Sequence, residues 1–226
     1  VTGAPYSGVE VRTSQQVLAA GGVIARTEQT NVYRDNEGRV RRESTRTGPD
    51  GQTHTRISIA DPVAGTVTEL DAKNKTAFTR TARFPSQSQA TGTSRPQIMG
   101  AGRRGGAQTE ANVKRETLAA RTMNGIIASG TRVTHTIPAG TIGNSQALDT
   151  VRETWMADDL KVPVMTKVTD PRFGTMTMEL TNINRSQPDP SLFQVPSDYT
   201  VKKGPGGRGL GPARNHRTGR REGQLA

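Results

Sequence analysis

Residues 52–70 decide the fold, and they read QTHTRISIA, DPVAG and TVTEL in order. Polar and apolar residues alternate on both sides of the short turn at 61–65, a pattern typical of a β-hairpin. Eleven stretches with this alternation follow one another along the chain, each ended by a turn rich in Gly, Pro or Asp. The sequence therefore predicts an all-β protein with one or two short helical turns. We expect a large curved antiparallel meander sheet or half-barrel.

The hydrophobic core of this sheet is expected to be thin. Of the 226 residues, 31% are hydrophobic and 4% are aromatic, whereas ordinary domains are roughly 45–50% apolar when glycine is counted. A thin core leaves part of the sheet in need of a cover, which a ligand or another copy of the chain could supply. The sequence has no cysteine, which excludes disulfides and thiolate metal sites.

The chain divides into three parts by composition. We expect an extended N-terminal segment at 1–7, a single β-rich domain at 8–201, and a basic Gly/Arg-rich tail at 202–226. A loop rich in Gly, Ser and Arg at about 85–111 interrupts the domain. Seven basic residues and one acidic residue lie between Lys202 and Glu222, so most of the net charge of +11 belongs to the tail.

Two further expectations concern location and local structure. No stretch of about 18 apolar residues occurs, which argues against a transmembrane segment. The chain begins with Val1, which we interpret as the result of removing an export signal, so a periplasmic or extracellular location is expected. A single helical turn is predicted at 188–193, because Asp189 can cap it and Pro190 suits its first position.

Several segments resemble an uncharacterised family of exported bacterial β-rich proteins. They are LTNINR at 180–185, PDPSLFQVPSDY at 188–199, VYRD leading to RE at 32–43, DPVAG at 61–65 and DPRFG at 170–174. The resemblance covers about residues 8–83 and 113–201. The ending Phe-x-x-Pro-x-x-Tyr is also distantly similar to the outer-membrane lipoprotein carrier (LolA-like) superfamily. That resemblance implies a curved antiparallel half-barrel with short helices against its concave side, and it implies no catalytic residues.

No catalytic, cofactor-binding or metal-binding residues are predicted. The three histidines, His54, His135 and His216, are isolated in sequence and lack a triad or metal signature. The acidic turn at 35–38 lacks the spaced acids of a calcium loop, and the glycine run at 204–209 lacks the strand and helix of a phosphate loop. The basic tail can bind anionic surfaces through charge. Sequence-specific nucleic-acid binding is not expected, because no aromatic residues are interleaved with the charges.

Two functions remain open from the sequence. The first is an exported structural protein that assembles with itself into an extracellular filament by strand addition between subunits. Its candidate subunit contacts are Val1, Thr2, Ala4, Tyr6, Arg208 and Arg214.

The alternative is a periplasmic or secreted half-barrel carrier or binding module for an apolar ligand or a lipoprotein. A cell-surface anionic polymer is a further possible partner, through the basic tail. The large apolar residues that would line a groove or fill the core are Tyr33, Phe78, Trp155, Phe173, Met176, Met178 and Phe193. Both functions are non-enzymatic.

Overall fold

The computed structural model describes residues 1–47, 51–84 and 112–204. Twelve strands form one sheet. The strands are β1 (Tyr6–Val17), β2 (Val23–Arg34), β3 (Val40–Thr47), β4 (Thr53–Asp61), β5 (Thr66–Asp71), β6 (Thr76–Thr81), β7 (Val113–Met123), β8 (Ile126–Ile137), β9 (Leu148–Ala157), β10 (Val162–Asp170), β11 (Gly174–Asn184) and β12 (Thr200–Lys203). A 3-10 turn covers Pro190–Phe193.

The sheet consists of two meanders joined side by side. Its order is β12-β6-β5-β4-β3-β2-β1-β11-β10-β9-β8-β7. Neighbouring strands are antiparallel, with β1 and β11 joining the meanders, except that β12 runs parallel to β6. Across the described residues β7 and β12 stay at opposite edges, so the sheet is open. The predicted all-β fold, a large meander of half-barrel type, is confirmed.

The sheet curls strongly at one end. The Asn124 side chain, in the β7–β8 turn, donates a 2.8 Å hydrogen bond to the carbonyl oxygen of Leu180 in β11. Arg34, at the end of β2, donates to the carbonyl oxygen of Leu160 in the β9–β10 turn. Three strand spacings separate the elements in each case, which would be about 14 Å in a flat sheet. Only curvature can bring these groups into contact.

The core lies at this curled end, in two clusters. The larger joins strands of both meanders, and its buried members are Tyr6, Val32, Ile126, Ala128, Trp155, Ala157, Leu160, Val164, Met165 and Leu180. Trp155 lies opposite Gly130, where an added Cβ would come within 2.7 Å of the indole ring, so the ring packs flat on the backbone. The other ends of β1 to β4 are exposed. The thin core therefore stabilises one end of the sheet and leaves long polar strand ends in water.

The second cluster is covered by the segment 185–199, which we call the strap. The strap carries the chain from β11, in the middle of the sheet, to β12 at its edge. Phe193 of the strap is buried against Ile59, Leu70 and Ala77, and Arg41 donates a 2.8 Å hydrogen bond to the Leu192 carbonyl. The 3-10 turn begins as predicted, because the Asp189 side chain accepts a hydrogen bond from the backbone N–H of Ser191.

The N-terminal segment is docked on its own chain, which argues against strand addition to another subunit. Gly3 donates to the Asn36 carbonyl at 2.9 Å, and Arg34 donates to the Ala4 carbonyl at 2.6 and 2.8 Å. Ala4 and Tyr6 are buried. Tyr6 begins β1, which lies between β2 and β11 and so has no free edge. Of the residues expected to donate a strand, Ala4 and Tyr6 are thus used inside the molecule, whereas Val1 and Thr2 are exposed.

Two of the expected core or groove residues lie at the surface instead. Phe78 is 48% exposed, because it lies near the edge of the sheet and outside both clusters. Phe173 is 68% exposed, because it belongs to the tight β10–β11 turn. The candidate contacts Arg208 and Arg214, the loop at 85–111 and the tail from 205 onward lie outside the described residues. Lys202 and Lys203, at the start of the expected tail, are the last residues of β12.

Candidate binding site: a polar cleft between two hairpins

The β1–β2 and β3–β4 hairpins diverge toward the exposed end of the sheet. Strand β2 pairs with β3 only over residues 30–34, opposite 40–44. Beyond this point β2 continues to pair with β1 as far as Val23, and β3 continues to pair with β4 as far as Thr47. The two hairpins therefore enclose a cleft of about 1250 Å³. We refer to this space as the cleft.

The cleft is lined by polar side chains. Its lining residues are Arg26, Thr27, Glu28, Gln29, Thr30, Asn31, Glu43, Ser44, Thr45, Arg46, Thr47, His54 and Arg56. Small-molecule sites are usually lined mainly by apolar and aromatic side chains, because apolar burial supplies most of their affinity. The composition of the cleft suits a partner that is itself polar or that offers main-chain hydrogen bonds.

The walls of the cleft are strand edges. Along residues 23–29 of β2 and 45–47 of β3, one side of each strand is paired within its own hairpin. The other side faces the cleft, and the ladder that would join β2 to β3 stops at the Thr30–Ser44 pair. A strand edge of this kind presents backbone N–H and C=O groups that can pair with an incoming chain. The cleft thus offers two such edges facing each other.

Ion pairs neutralise most of the charge in the cleft. Arg46 pairs with Glu28 across it, which links the two hairpins. Glu43 is held by Arg41 at 2.6 Å, and Arg56 by Glu69 at 3.0 Å. Arg26 has no ion-pair partner among the residues that the structure describes. The cleft is therefore slightly positive, with Arg26 as its available cation.

A smaller cleft of about 530 Å³ lies on the other side of the β3–β4 hairpin. It is lined by residues 52–55 of that hairpin and by 71–74 of the β5–β6 turn. His54 lines both clefts. The β3–β4 hairpin thus separates two polar clefts.

The large apolar candidates do not meet in one groove. Trp155 and Phe193 are buried in different clusters, and Tyr33 packs beside Phe193. Met176 and Met178 are half-buried neighbours on β11. None of the seven apolar candidates lines either of the two clefts. The candidate binding site is therefore polar, and the apolar residues that were expected to line a groove do not contribute to it.

Sequence reasoning missed the cleft, although one signal for it is present. Strand β3 reads VRRESTRT and is polar on both faces. Such a strand gains little from burial, so its pairing partner is weakly specified. Where β2 and β3 separate could still be learned only from the register of the folded sheet.

Neither metal binding nor a membrane-spanning helix is indicated in the described part of the chain. No group of three or more His, Asp or Glu side chains is placed to hold a metal ion among the described residues. Within the same residues, no helix is long and apolar enough to cross a membrane. His54 and His135 lie in different strands, β4 and β8, of opposite meanders.

No family model matches this chain, and no curated protein matches it. Solved structures of similar fold exist at low identity. MucB of Pseudomonas aeruginosa, solved in complex with MucA, is 12% identical over 88% of this chain and 58% of its own, with a TM-score of 0.40. This chain thus spans little more than half of MucB.

Two further structures are matched over most of their length. An uncharacterized conserved protein of Thermus thermophilus is 9% identical over 88% of this chain and 90% of its own, with a TM-score of 0.46. A LolA superfamily protein of Nitrosomonas europaea is 8% identical over 84% and 90%, with a TM-score of 0.32.

The predicted self-assembling filament is wrong. The similar structures are named as partner-binding, lipoprotein and lipoprotein-sorting proteins, and the segment that would have joined subunits is docked within its own chain. In fold, the chain is distantly similar to the LolA superfamily, as the sequence led us to expect.

Proposed function

We propose that this chain is an exported, non-enzymatic binding module and that its ligand is a polypeptide in extended conformation, such as the polypeptide part of a lipoprotein. The observation that carries the proposal is the cleft between β2 and β3, with its two facing strand edges. An extended peptide in the cleft would continue the sheet from both sides. Strand addition of this kind obtains its affinity from main-chain hydrogen bonds and its specificity from alternate side chains.

The polar lining supports a polypeptide ligand over an apolar one. Threonine, serine, asparagine and glutamine side chains can bond the polar side chains of a peptide, whereas an acyl chain would bury these groups without partners at a cost of about 1–3 kcal/mol each. The excess of arginine over glutamate in the lining favours acidic side chains in the ligand.

A non-enzymatic role and an exported location complete the proposal. The carboxylates of the cleft are held in ion pairs, and among the described residues no hydroxyl group of the cleft is hydrogen-bonded to its one histidine, His54, which supports a non-enzymatic role. The similar structures include a lipoprotein of Mycobacterium tuberculosis and a putative outer membrane lipoprotein-sorting domain of Vibrio parahaemolyticus. An exported location for this chain is in keeping with those names.

The proposal can be tested with a fluorescent peptide of alternating Thr and Glu, seven residues long with blocked ends. A matched peptide carries N-methyl groups at alternate residues, which remove N–H donors and retain the side chains. We expect the first peptide to bind by fluorescence anisotropy and the methylated peptide to bind at least about tenfold more weakly, because strand pairing needs those donors.

Two further measurements locate the binding site. Arg26→Glu should weaken binding about fivefold, whereas Arg80→Glu, a charge-matched change on exposed β6, should leave it unchanged. Hydrogen exchange of residues 23–29 should slow when the peptide is bound. Equal binding of the two peptides, or equal effects of the two variants, would contradict the proposal.

A further inference from the structure

The tip of the β1–β2 hairpin is an exposed apolar projection. Its sequence is VLAAGGVI, residues 17–24, which we call the apolar tip. The exposed fractions of its large side chains are 68% for Val17, 43% for Leu18, 53% for Val23 and 44% for Ile24. Contiguous exposed apolar side chains of this kind mark an interaction site more often than single ones do.

The apolar tip has a defined shape. Leu18 and Gly22 are joined by a 2.7 Å hydrogen bond from the Leu18 N–H to the Gly22 carbonyl, and Gly21 donates to the Leu18 carbonyl at 2.9 Å. Gly21 has a φ of +80°, which glycine adopts without strain. The apolar side chains are therefore presented on a closed turn that projects from the sheet.

The β10–β11 turn extends the apolar surface beside the tip. This turn lies against β1, since a Cβ added at Gly174 would fall 2.1 Å from the Gln15 carbonyl oxygen. Phe173, next in this turn, is 68% exposed. Phe173 precedes Gly174, so its backbone lies near the base of the apolar tip, and the Arg172 guanidinium lies 5.0 Å from the centre of its ring.

Charge is absent from the tip and returns directly behind it. Residues 13–25 include no charged side chain, and the first on either strand are Arg12 and Arg26. Ser14 pairs with Arg26, so Arg12 and Arg26 lie on the same face of the hairpin. Neither arginine has an ion-pair partner in the described part of the chain, and Glu28, opposite Arg12, is bound by Arg46.

The spacing matches the depth of a membrane interface. A strand rises about 3.3 Å per residue, so Arg26 lies about 10 Å behind Val23. Interfacial segments bury their apolar side chains about 5–10 Å into the boundary between headgroups and acyl chains. With the apolar tip at that depth, the Arg26 guanidinium reaches the level of the headgroup phosphates, which it binds through charge-assisted hydrogen bonds. Arg12, opposite Glu28, lies about 17 Å behind Val17 and so faces the anionic surface from further out.

We propose that the apolar tip anchors the protein to the surface of an anionic lipid bilayer. A convex apolar turn backed by two unpaired cations suits a soft apolar phase with an anionic surface. A protein partner would instead need a groove deep enough to enclose the whole turn. The proposal assigns a second surface to the molecule, which shares Arg26 with the cleft but rests on the apolar tip.

Vesicle flotation tests the anchor with the full chain. The vesicles are phosphatidylcholine alone or phosphatidylcholine with about one quarter phosphatidylglycerol. We expect the unaltered protein to float with the anionic vesicles. The double variant Leu18→Asp, Ile24→Asp should lower the partition coefficient at least about tenfold, because its apolar contacts with the bilayer are lost.

The matched control is Val63→Asp, Ile127→Asp, which adds the same charge at side chains that are 71% and 73% exposed away from the tip. This control should float like the unaltered protein. The pair Arg12→Gln, Arg26→Gln should reduce the preference for phosphatidylglycerol by about thirtyfold, since each cation near an anionic surface contributes about 1 kcal/mol. All substituted residues except Arg12 and Arg26 are apolar and exposed, so unfolding midpoints should match within a few degrees.

Three outcomes would overturn the anchor. The first is that the unaltered protein fails to float. The second is that the tip variant and the control float equally. The third is that high salt releases the unaltered protein completely, which would show that binding depends only on the basic tail.

Discussion

Arg34 shows at the scale of one residue how the curled end is held. Its guanidinium is buried, bonds the carbonyls of Ala4 and Leu160, and lies 4.7 Å from the centre of the Tyr6 ring. Burial lowers the pKa of Arg34 from its ordinary value, a cost that these carbonyl dipoles and the aromatic ring offset. One side chain thus joins the N-terminal segment, β2 and the β9–β10 turn.

A second residue gives a prediction for acid stability. Asp170 accepts hydrogen bonds from the Arg172 side chain at 2.6 and 2.9 Å and from the Thr150 hydroxyl at 2.9 Å. The bond from Arg172 is the main cause that lowers the pKa of Asp170 to about 2. Because the folded pKa lies below the unfolded one, the stabilisation is present above about pH 4 and is lost as the pH falls through about 2.

We therefore expect Asp170→Asn to lower the free energy of unfolding at neutral pH by about 1–2 kcal/mol. The difference from the unaltered protein should shrink as the pH falls from about 4 to 2, measured by thermal unfolding at several pH values. Asp158→Asn, at an exposed carboxylate that accepts one serine hydroxyl, is the control and should change stability by less than about 0.5 kcal/mol. A difference that stays constant with pH would contradict this account.

The strap is the element that decides how one half of the sheet is covered. It is the one connection in the described chain that crosses a face of the sheet, and it ends in β12, which pairs with the edge strand β6. Through Phe193 it buries the second cluster, and through β12 it protects an otherwise free edge. An element of 15 residues thereby replaces the covering helices that the carrier resemblance implies.

Removing the anchor of the strap should be costly. Phe193→Ala should lower the free energy of unfolding by about 3–5 kcal/mol, because a buried aromatic ring is replaced by a cavity. Phe78→Ala, at a ring that is half exposed, should cost about 1 kcal/mol or less. Urea unfolding of both variants measures the contrast. Equal losses would show that the strap does not contribute to the core.

In the whole molecule, the two ends of the long strands differ in local stability. Both hydrophobic clusters lie toward the curled end, and the exposed ends of β1 to β4 project beyond them. The cleft and the apolar tip both belong to the projecting end. The part of the sheet with the least core therefore carries both proposed binding surfaces.

Hydrogen exchange should reveal this gradient. Amides of residues 30–34, 155–157 and 178–181, which flank buried core positions, should exchange only through global unfolding. Amides of 15–26, 44–47 and 51–55 should exchange several orders of magnitude faster through local opening, because few apolar contacts hold them. Mass spectrometry of proteolytic fragments measures both sets in one experiment. Uniform protection along β1 and β2 would exclude the proposed gradient.

The local structure could be predicted from the sequence alone. Period-two alternation and turn residues predicted the hairpins, such as β4–β5 around the turn at 61–65, and the capped turn begun by Asp189. These features depend on neighbours within a few residues, through pleat geometry and side-chain bonds to the adjacent backbone. For the same reason the β-rich class and the thinness of the core could be predicted from composition and pattern.

Which distant strands pair, and which strand edges stay unpaired, could be learned only from the tertiary structure. The union of β1 with β11, the parallel docking of β12, the curl sealed by Arg34 and Asn124, and the separation of β2 from β3 all join residues far apart in sequence. Such contacts depend on register and on packing in three dimensions, which alternation alone does not specify. One face of the alternating strands is apolar and has to be buried, and at the curled end the strap and the turns of the same chain bury it.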